Sequence, residues 1–340
     1  MMKVVLDAHG GDYSPTEVVL GAVEAVNKNS NVNVVLVGRE DDIWAQLDTL
    51  KFNESQISVV NATDIITNNE SATAAIRTKK DSSLVRAFDY AKENDDVIGV
   101  ISAGSTGAVL TGGFMKFGRI KGIHRPALCP VFFTLEGGRV CICDAGANMD
   151  CKPEYIDQFA TMASAYMKVL GVENPRVAQL NVGTEDHKGD IRAKETFELL
   201  KENKNINFVG NMEARDLMSG EYDVVAADGF AGNVLLKSTE GAMKGLLNVL
   251  KKDIKSSFLS MIGALFMKGT FGRIKSKFDY NKFGGAVLLG CKKLLVKAHG
   301  NSKASSFATC IEQVCAMHEG KLIEKITESL DKAGLKDANE

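Results

Sequence analysis

Short apolar runs alternate with amphipathic stretches through the first two-thirds of this 340-residue chain, and this alternation limits the fold more than any other feature. Several runs are apolar at every position, as expected of strands covered on both faces in a mainly parallel sheet. The predicted strands are Val4–Asp7, Val32–Val37, Ile57–Val60, Val97–Ser102, Val131–Thr134, Val140–Cys143, Val177–Leu180, Asn207–Val209 and Val224–Ala227. The predicted helices are Pro15–Asn27, Ser83–Glu93, Gly107–Lys116, Glu154–Val169, Ile191–Glu202 and Asn233–Leu250. This order predicts a three-layer αβα fold with a mainly parallel, doubly wound sheet.

Two local signals add detail to this prediction. The runs 131–134 and 140–143 flank a segment with two adjacent glycines, which indicates an antiparallel hairpin within the otherwise parallel sheet. The sequence Ser14-Pro15-Thr16-Glu17 predicts a helix start with a capping serine, a proline at the first position and a reciprocal glutamate.

We expect one domain rather than two. The chain has only five prolines and no low-complexity tract, which argues against a disordered linker. From Asn233 onward the pattern becomes mostly helical. The prediction is therefore a single α/β domain over residues 1–340, with a helical projection at 237–290.

Charge and composition exclude several classes of function. The net charge is −2 and the pI about 6.3, so no overall basic field attracts nucleic acid. The N-terminal residues show no secretory signal pattern, and the longest apolar run, Phe258–Met267, is too short to span a bilayer. The seven cysteines contain no Cys-x-x-Cys pair and are expected to be free thiols in a reducing cytosol. Catalysis by a reactive cysteine is the alternative.

Glycine-rich or polar turns follow four of the predicted strands. They are Asp7–Asp12, Ser102–Ala108, Asp144–Asn148 and Asp228–Asn233. In open α/β sheets, ligands bind beyond the carboxyl ends of the strands. Glycines let main-chain N–H groups approach a ligand, and a helix N-terminus attracts an anion. The four turns together predict a phosphate-sized anion site; the alternative is that each is only a tight connection.

Standard nucleotide and metal motifs are absent from the sequence. It contains no Gly-x-x-x-x-Gly-Lys-Ser/Thr, and no Gly-x-Gly-x-x-Gly follows the first strand, so a nucleotide held in either way is not expected. The absence of a His-x-x-x-His or Cys/His cluster argues against a catalytic zinc. No cofactor is predicted. Magnesium stays open, because Asp7, Asp144 and Asp228 could hold it through water, although such aspartates more often cap turns.

These turns, in this order, resemble those of the bacterial phosphate acyltransferase family (acyl-acyl carrier protein:phosphate acyltransferases). The similar passages are Leu6–Asp12, Arg77–Ser83, Ser102–Ala108, Gly118–Leu128, Asp144–Asn148, Asn181–Glu185 with Lys188-Gly189, and Asp228–Val234. Seven passages in order over more than 200 residues make the resemblance specific, and it covers nearly the whole chain. His9 stands where the family usually has Met, and Ser105 where it usually has Asn. Both keep the glycine framework, so they bear on substrate contacts rather than on the reaction class.

The resemblance implies a fold related to isocitrate and isopropylmalate dehydrogenases and to phosphotransacetylases. It also implies a homodimer that transfers a long-chain fatty acyl group from acyl carrier protein to inorganic phosphate. The acyl phosphate product would supply a glycerol-3-phosphate acyltransferase in phospholipid synthesis. By the same resemblance, the protein is expected in the cytoplasm, peripherally associated with the inner face of the cell membrane.

In the implied reaction, a phosphate oxygen attacks a thioester carbonyl. Phosphate is partly dianionic at neutral pH, so the enzyme must align it and stabilise the oxyanion rather than supply a strong base. Lys188 is the predicted catalytic cation and Asn233 the predicted donor to the thioester oxygen; the alternatives are a solvated lysine and an N-cap asparagine. A general base at His9 is a further alternative, which a family with Met there does not need. The predicted phosphate or substrate contacts are Gly10, Gly11, Asp12, Ser105, Thr106, Gly107, Asp228 and Gly232, and weaker candidates for phosphate or carrier-protein contact are Arg77, Lys79 and Lys80.

The stretch Lys251–Lys282 is basic and apolar at once. Eight Lys or Arg and two Asp residues give it a net charge of about +6 around an apolar core at 258–267. Such a tip suits an anionic bilayer surface, where each nearby Lys or Arg contributes about 1 kcal/mol of attraction. The predicted lipid contacts are Leu259, Ile262 and Phe266. The alternative is a helix in the core or in a dimer interface.

Two rival functions stay open on the sequence alone. One is a phosphotransacetylase-type enzyme that uses a short acyl-coenzyme A. The other is a non-catalytic sensor of a phosphometabolite, which would bind phosphate and release no thiol from any thioester.

Overall fold

The computed structural model describes residues 1–277 and 284–332. The strands are β1 (Met2–Asp7), β2 (Val32–Gly38), β3 (Ile57–Asn61), β4 (Val97–Ser102), β5 (Ala127–Cys129), β6 (Val131–Phe133), β7 (Arg139–Cys143), β8 (Arg176–Asn181), β9 (Asn207–Glu213), β10 (Val224–Ala226), β11 (Ala286–Leu289) and β12 (Leu294–Lys297). The helices are α1 (Thr16–Lys28), α2 (Glu40–Leu47), α3 (Ala72–Thr78), α4 (Ser83–Glu93), α5 (Thr106–Phe117), α6 (Pro153–Val169), α7 (Ile191–Glu202), α8 (Gly229–Ser256), α9 (Phe258–Phe266), α10 (Lys268–Lys277), α11 (Ala304–Glu319) and α12 (Leu322–Lys332).

The strands form two mainly parallel sheets rather than the single sheet predicted. The first has the order β3-β2-β1-β4-β12-β11-β5, in which only β11 runs antiparallel to its neighbours. The second has the order β6-β7-β10-β8-β9, with β6 antiparallel to β7. The chain passes from one sheet to the other at Pro130, between β5 and β6, where proline has no N–H to donate to a ladder.

Helices cover both faces of the first sheet. The side chains of β1 alternate between two apolar clusters, one on each face. Val4 and Leu6 belong to one cluster, together with residues of α1 and α11. Val5 belongs to the other, which contains Phe88 of α4 and Val109 of α5. The predicted three-layer arrangement is therefore confirmed for this sheet.

The predicted hairpin is also confirmed. Val131 pairs with Cys141 and Phe133 with Arg139 in antiparallel register. Gly137 in the connecting turn has a φ of +93°, a conformation that glycine adopts without the steric cost of a Cβ. The hairpin places β7 next to β10, so the carboxyl ends of both strands face the same edge.

The predicted capping box at the start of α1 is wrong. Ser14 Oγ donates to the main-chain oxygen of Gly11 at 3.0 Å instead of capping the helix, and no side chain caps the first turn of α1. Glu17 is turned towards α11, where it accepts a hydrogen bond from the N–H of Ala304 at 2.8 Å. The Glu17 carboxylate therefore accepts a hydrogen bond from the N-terminus of α11 instead of capping α1.

The helical pattern predicted from Asn233 onward is interrupted by two strands. β11 and β12 each have four residues and lie in the interior of the first sheet. The predicted projection, 237–290, therefore ends in β11. Its residues 278–283, which include the last part of the basic stretch, lie outside the described residues.

The helical part of this region extends outward from the sheets. α8 has 28 residues, which corresponds to about 42 Å, and only Gly229, Gly232 and Leu235 of the helix are buried. No residue of α9 is buried. Among the described helices, none is both long enough and apolar enough to cross a bilayer.

Candidate active site

The turns after β1 and β4 are bonded to each other. Ser102 Oγ donates a 2.7 Å hydrogen bond to Asp7 Oδ2, and the N–H of Gly104 donates to Ser102 Oγ at 3.0 Å. Burial raises the pKa of Asp7, and the bond from Ser102 opposes that rise. A Cβ on Gly10 would lie 2.5 Å from Asp7 Oδ2 and 2.7 Å from the Gly104 nitrogen. Glycine at position 10 therefore permits the close approach of the two turns.

A fifth turn, residues 298–303 after β12, joins this pair and was not predicted. The N–H of Ala298 donates to the Ser102 oxygen at 3.0 Å, and the N–H of Asp12 donates to the Gly300 oxygen at 2.7 Å. The sequence signal was present, since an apolar strand is followed there by Ala-His-Gly-Asn-Ser. The mostly helical pattern of the surrounding sequence obscures this signal.

Lys297, the last residue of β12, brings a buried cation to these turns. The residue is 9% exposed. Its ammonium donates to the main-chain oxygen of Ala103 at 3.3 Å and to that of Ala298. Burial lowers the pKa of Lys297 to about 8, so the side chain is still mainly charged at neutral pH.

The turn after β7 is organised around Asp144. Its Oδ1 accepts hydrogen bonds from the N–H groups of Leu128 at 2.9 Å, Gly146 at 3.2 Å and Ala147 at 3.0 Å. Its Oδ2 accepts from the main chain of Asn148 at 2.6 Å and from the side chain of Asn148 at 2.9 Å. Burial raises the pKa of Asp144, whereas these bonds lower it. The predicted turn-capping role of this aspartate is confirmed.

Asp228 also caps a helix. Its Oδ1 accepts the N–H of Ala231 at 2.8 Å, and its Oδ2 accepts from Arg192 Nη2 at 2.6 Å. α8 therefore begins at Gly229, four residues before the predicted start. The interpretation of Asn233 as an N-cap is wrong, since this residue lies inside the helix.

The first turn of α8 packs tightly on the turn after β7. A Cβ on Gly232 would lie 1.9 Å from the main-chain oxygen of Asp144, so only glycine fits there. This packing brings Asn233 over Gly146, with the Asn233 carboxamide carbon 3.5 Å from the position of a Cβ on that glycine. Within residues 1–277 and 284–332, the carboxamide of Asn233 has no hydrogen-bond partner.

These elements border a cleft of about 570 Å³, which both sheets line. This volume is in the range of small-molecule sites. The polar part of its wall includes Thr106, Gly107, Asn233, the two lysines Lys237 and Lys297, and the carboxylate of Glu240. The apolar part includes Leu110, Leu128, Val131, Phe132 and Leu236. The cleft therefore joins an anion-attracting end to a surface suited to hydrocarbon.

Only some of the residues predicted from the sequence form this wall. Thr106, Gly107 and Asn233 do. The remaining predicted phosphate or substrate residues are Gly10, Gly11, Asp12, Ser105, Asp228 and Gly232, and they belong to the surrounding turns without lining the cleft. Their contacts described above shape those turns.

Lys188 lies in the loop between β8 and α7, outside the wall of the cleft. Its side chain is 43% exposed, and its ammonium lies 3.8 Å from Glu185 Oε1. The N-cap of α7 is Asp190, which accepts the N–H of Ala193. Arg192, in the first turn of α7, connects this region to the start of α8 through its bond to Asp228.

Of the three basic residues at 77–80, Lys79 forms ion pairs, and Arg77 and Lys80 are exposed. The ammonium of Lys79 lies 3.0 Å from Glu70 Oε2 and 3.4 Å from Asp64 Oδ1. The hydrogen bonds that Glu70 accepts from Thr67 and Lys79 lower its pKa to about 2. Arg77 and Lys80 are exposed and do not line the cleft.

All seven cysteines are free and buried. Burial raises the pKa of Cys310 and Cys291 to about 12, and that of Cys151 and Cys315 to about 11. A thiol with such a pKa is a poor nucleophile at neutral pH. The free-thiol prediction is confirmed, and these pKa values argue against cysteine catalysis.

The strand-end carboxylates are separate from one another. In the part of the chain that the structure describes, no three His, Cys, Asp or Glu side chains are grouped to hold a metal ion. Asp7, Asp144 and Asp228 are instead occupied by the hydroxyl, N–H and guanidinium donors described above.

Comparisons with known proteins give the family of the chain. A family model described as "Fatty acid synthesis protein" matches residues 2–325. The phosphate acyltransferase of Clostridium acetobutylicum is 44% identical over 331 residues, which cover 97% of this chain and 99% of that protein. The phosphate acyltransferase of Dictyoglomus turgidum is 44% identical over 332 residues, covering 97% and 98%.

The chain belongs to the phosphate acyltransferase family. The predicted family and the predicted enzyme class, an acyltransferase, are thereby confirmed. In fold, the chain is similar to a phosphotransacetylase from Streptococcus pyogenes, with a TM-score of 0.60 and 15% identity over 93% of this chain and 94% of that one. The predicted fold class is confirmed by this likeness and by the two parallel sheets.

Two residues depart from the pattern expected of a phosphate acyltransferase, and neither side chain lines the cleft. The His9 side chain is 5% exposed, and its Nε2 lies 3.3 Å from Asp42 Oδ2. A Cβ on Gly38 would lie 2.2 Å from His9 Nδ1, so the imidazole occupies a site that Gly38 leaves open. Ser105 precedes α5, and its side chain makes no capping bond. His9 is therefore not placed to act as a general base in the cleft.

Proposed function

We propose that this protein transfers a long-chain acyl group from acyl carrier protein to inorganic phosphate and releases acyl phosphate. The observation that carries the proposal is the free carboxamide of Asn233, which lies in a cleft with one polar and one apolar wall. The family of the chain supports this chemistry. Its relatives are phosphate acyltransferases, and they are similar to this chain over nearly their whole length.

In the proposed reaction, an oxygen of hydrogen phosphate attacks the thioester carbonyl carbon. A C–O bond forms, and the carbonyl oxygen becomes an oxyanion to which the side-chain amide of Asn233 donates a hydrogen bond. The C–S bond then breaks, and the leaving thiolate takes the proton that the phosphate carried. Because phosphate is already an anion, alignment and oxyanion stabilisation supply the catalysis.

Lys188 is proposed to act as the cation that orients the attacking phosphate. Because Lys188 lies in the loop between β8 and α7, outside the cleft wall, this loop must approach the start of α8 when substrates bind. Such tightening on substrate binding is common, because catalytic contacts in empty sites are often long. The bond from Arg192 to Asp228 already connects the two elements.

The apolar wall suits the acyl carbons next to the thioester. Leu128, Val131 and Phe132 supply this surface. Arg77 and Lys80, which are exposed, are proposed to meet the acidic carrier protein. Lys79 is less suited to this contact because Glu70 and Asp64 already hold its ammonium. No metal or other cofactor takes part in the proposed steps, so turnover should persist in EDTA.

We further propose that two copies of the chain form a dimer and that α9 rests on the cytoplasmic face of the membrane. Phe258, Leu259, Leu265 and Phe266 are each more than 70% exposed, and basic residues precede and follow this helix. Lipid is the natural destination of the acyl chain. At the membrane surface, acyl phosphate would pass to a glycerol-3-phosphate acyltransferase.

Thiol release measures the proposed function directly. Palmitoyl-acyl carrier protein should release thiol only when inorganic phosphate is present, and acyl phosphate should form in equal amount. Acetyl-coenzyme A is the control donor, and its preferred use would assign the protein to the phosphotransacetylase type. Phosphate binding without thiol release from either donor would identify a sensor and contradict the proposal.

A further inference from the structure

The buried ammonium of Lys297 has only neutral partners. Its two hydrogen bonds are to main-chain oxygens, those of Ala103 and Ala298. Among the residues that the structure describes, no carboxylate lies within 4.0 Å of this nitrogen. A buried charge without a directly paired counter-ion is destabilising, and a protein that keeps one often uses it to bind an ion of opposite charge.

Charges of both signs surround this ammonium without forming an ion pair with it: Asp7 and Asp12 act to raise its pKa, and Lys237 acts to lower it. Thr106 and Gly107, in the first turn of α5, line the same cleft, and the preceding Ser105 gives that helix no side-chain cap. Their end of the helix therefore carries free N–H groups and partial positive charge. Lys237 lines the cleft as well, and its charge further lowers the pKa of Lys297.

Lys293, which directly precedes β12, is a lysine with a structural role and serves as a comparison for Lys297. The ammonium of Lys293 donates to the main-chain oxygens of Ala91, Asn94 and Val97, around the C-terminal end of α4. A helix C-terminus favours a cation, so Lys293 is explained by the fold alone. It does not line the cleft. Lys297 lies instead near a helix N-terminus, whose partial positive charge disfavours a cation and favours a bound anion.

We propose that Lys297 binds the phosphate dianion that the reaction consumes, together with the free N–H groups at the start of α5. This assignment rests on the proposed function for the identity of the anion. It separates the two substrates in the cleft: phosphate lies against the first sheet, and the thioester oxygen lies against Asn233 of α8. Lys297 is then a substrate-binding residue that is distinct from Lys188.

Calorimetric titration with inorganic phosphate tests the proposal without turnover. Lys297→Met keeps the length of the side chain and removes its charge, and Lys293→Met is the matched control. Loss of a charged hydrogen bond should weaken phosphate binding by roughly tenfold to a hundredfold in the first variant. The control should bind phosphate as the unmodified protein does.

Thermal unfolding distinguishes ligand binding from a structural role. Phosphate should raise the Tm of the unmodified protein and of the Lys293→Met variant, but not that of Lys297→Met. Without phosphate, Lys297→Met should be at least as stable as the unmodified protein, because a buried charge has been removed. A lower Tm in this variant, with its phosphate stabilisation intact, would show that Lys297 is structural and overturn the proposal.

Kinetics with palmitoyl-acyl carrier protein identify which phosphate group Lys297 holds. The KM for inorganic phosphate should rise in Lys297→Met, while the KM for the acyl donor stays the same. A rise only in the KM for the donor would place the phosphodiester of the carrier arm there and overturn the assignment. If Lys297→Met does not fold, Lys297→Gln is measured instead. If the unmodified protein binds phosphate through Lys297 but releases no thiol, the proposed function fails while the anion site stands.

Discussion

The carboxylate of Glu17, in the first turn of α1, accepts a 2.8 Å hydrogen bond from the N–H of Ala304, the first residue of α11. The other carboxylate oxygen lies 3.2 Å from Lys303 Nζ. The two helices pack side by side although these residues are 287 positions apart in sequence. One side chain thus supplies an acceptor and a negative charge to the N-terminus of a distant helix.

Replacing Glu17 with Ala should destabilise the fold by about 1 kcal/mol, as the loss of a helix cap does. Glu24→Ala is the control, because the one ion pair of Glu24 among the described residues is an exposed pair with Lys28 one turn away, and such pairs contribute at most about 0.5 kcal/mol. Urea unfolding at neutral pH measures both changes. Equal losses in the two variants would mean that the bond to Ala304 contributes nothing beyond surface electrostatics.

Asn233→Ala should lower turnover on the order of a hundredfold, the usual effect of removing an oxyanion donor. Its Tm should change little, because its carboxamide makes no hydrogen bond within the described residues. Asn68→Ala, which removes another amide from the cleft wall, should leave turnover close to its starting value. Near-normal turnover in Asn233→Ala would refute the oxyanion role.

Lys188→Ala is expected to cause a loss of similar size, again on the order of a hundredfold. Lys194→Ala is a suitable control, since Lys194 is exposed one turn into the adjoining helix α7. Steady-state rates with saturating donor and varied phosphate measure both variants. If Lys188→Ala keeps normal turnover, the exposed position of Lys188 in the structure is also its position during the reaction.

Replacing Leu259, Ile262 and Phe266 together with Gln should weaken binding to anionic phospholipid vesicles by at least about tenfold, because each apolar side chain buried in lipid contributes more than 1 kcal/mol. Turnover in solution should persist. Leu135→Gln alters an exposed apolar residue of the β6–β7 hairpin and should leave vesicle binding unchanged. Sedimentation velocity gives the oligomeric state of each variant. Loss of the dimer with normal vesicle binding would assign α9 to the subunit interface.

The affinity for phosphate should fall as the pH rises through about 8, because burial lowers the pKa of Lys297 from 10.5 to about 8 and the side chain loses its charge above that pH. Phosphate itself is already a dianion there. The other ionisable groups around Lys297 are Asp7, Asp12, Lys237, His299 and Cys310. The pKa of the Cys310 thiol is raised to about 12 and that of His299 is lowered from 6.5, so neither titrates near pH 8.5.

A bound dianion favours the charged lysine, so phosphate binding near pH 8.5 should take up protons. Titration calorimetry in buffers of different ionisation enthalpy measures this uptake. The Lys297→Met variant should show almost none. Equal proton uptake by both proteins would assign the linkage to another group.

Much of the fold follows from local sequence. The strand Val97–Ser102 and the helices Ser83–Glu93 and Ile191–Glu202 have the predicted bounds, because their apolar patterns are strong and their ends are marked by polar residues. The glycine-rich turns are also predictable, because glycines and polar residues directly follow the apolar runs. These turns are sufficient to predict that Thr106, Gly107 and Asn233 lie in one site, and all three line the cleft.

The missing parts depend on distant contacts. β11 and β12 have only four residues each, and their apolar runs become strands because β4 and β5 lie on either side to pair with them. Lys297 resembles a surface lysine in sequence, since nothing local shows that its strand is interior. Likewise, the predicted start of α8 is four residues too late, because the local sequence does not show whether Asp228 belongs to a ligand turn or caps the helix.

The position of β12 in the first sheet has a consequence for protein synthesis. Until residues 294–297 leave the ribosome, β4 has no partner on that side, and neither Lys297 nor the turn at 298–303 exists. A nascent chain that has already made eleven of the strands described here therefore carries an open sheet edge and an incomplete cleft. An N-terminal fragment that ends before β12 therefore lacks Lys297 and the turn at 298–303, and the proposed phosphate site cannot form in it.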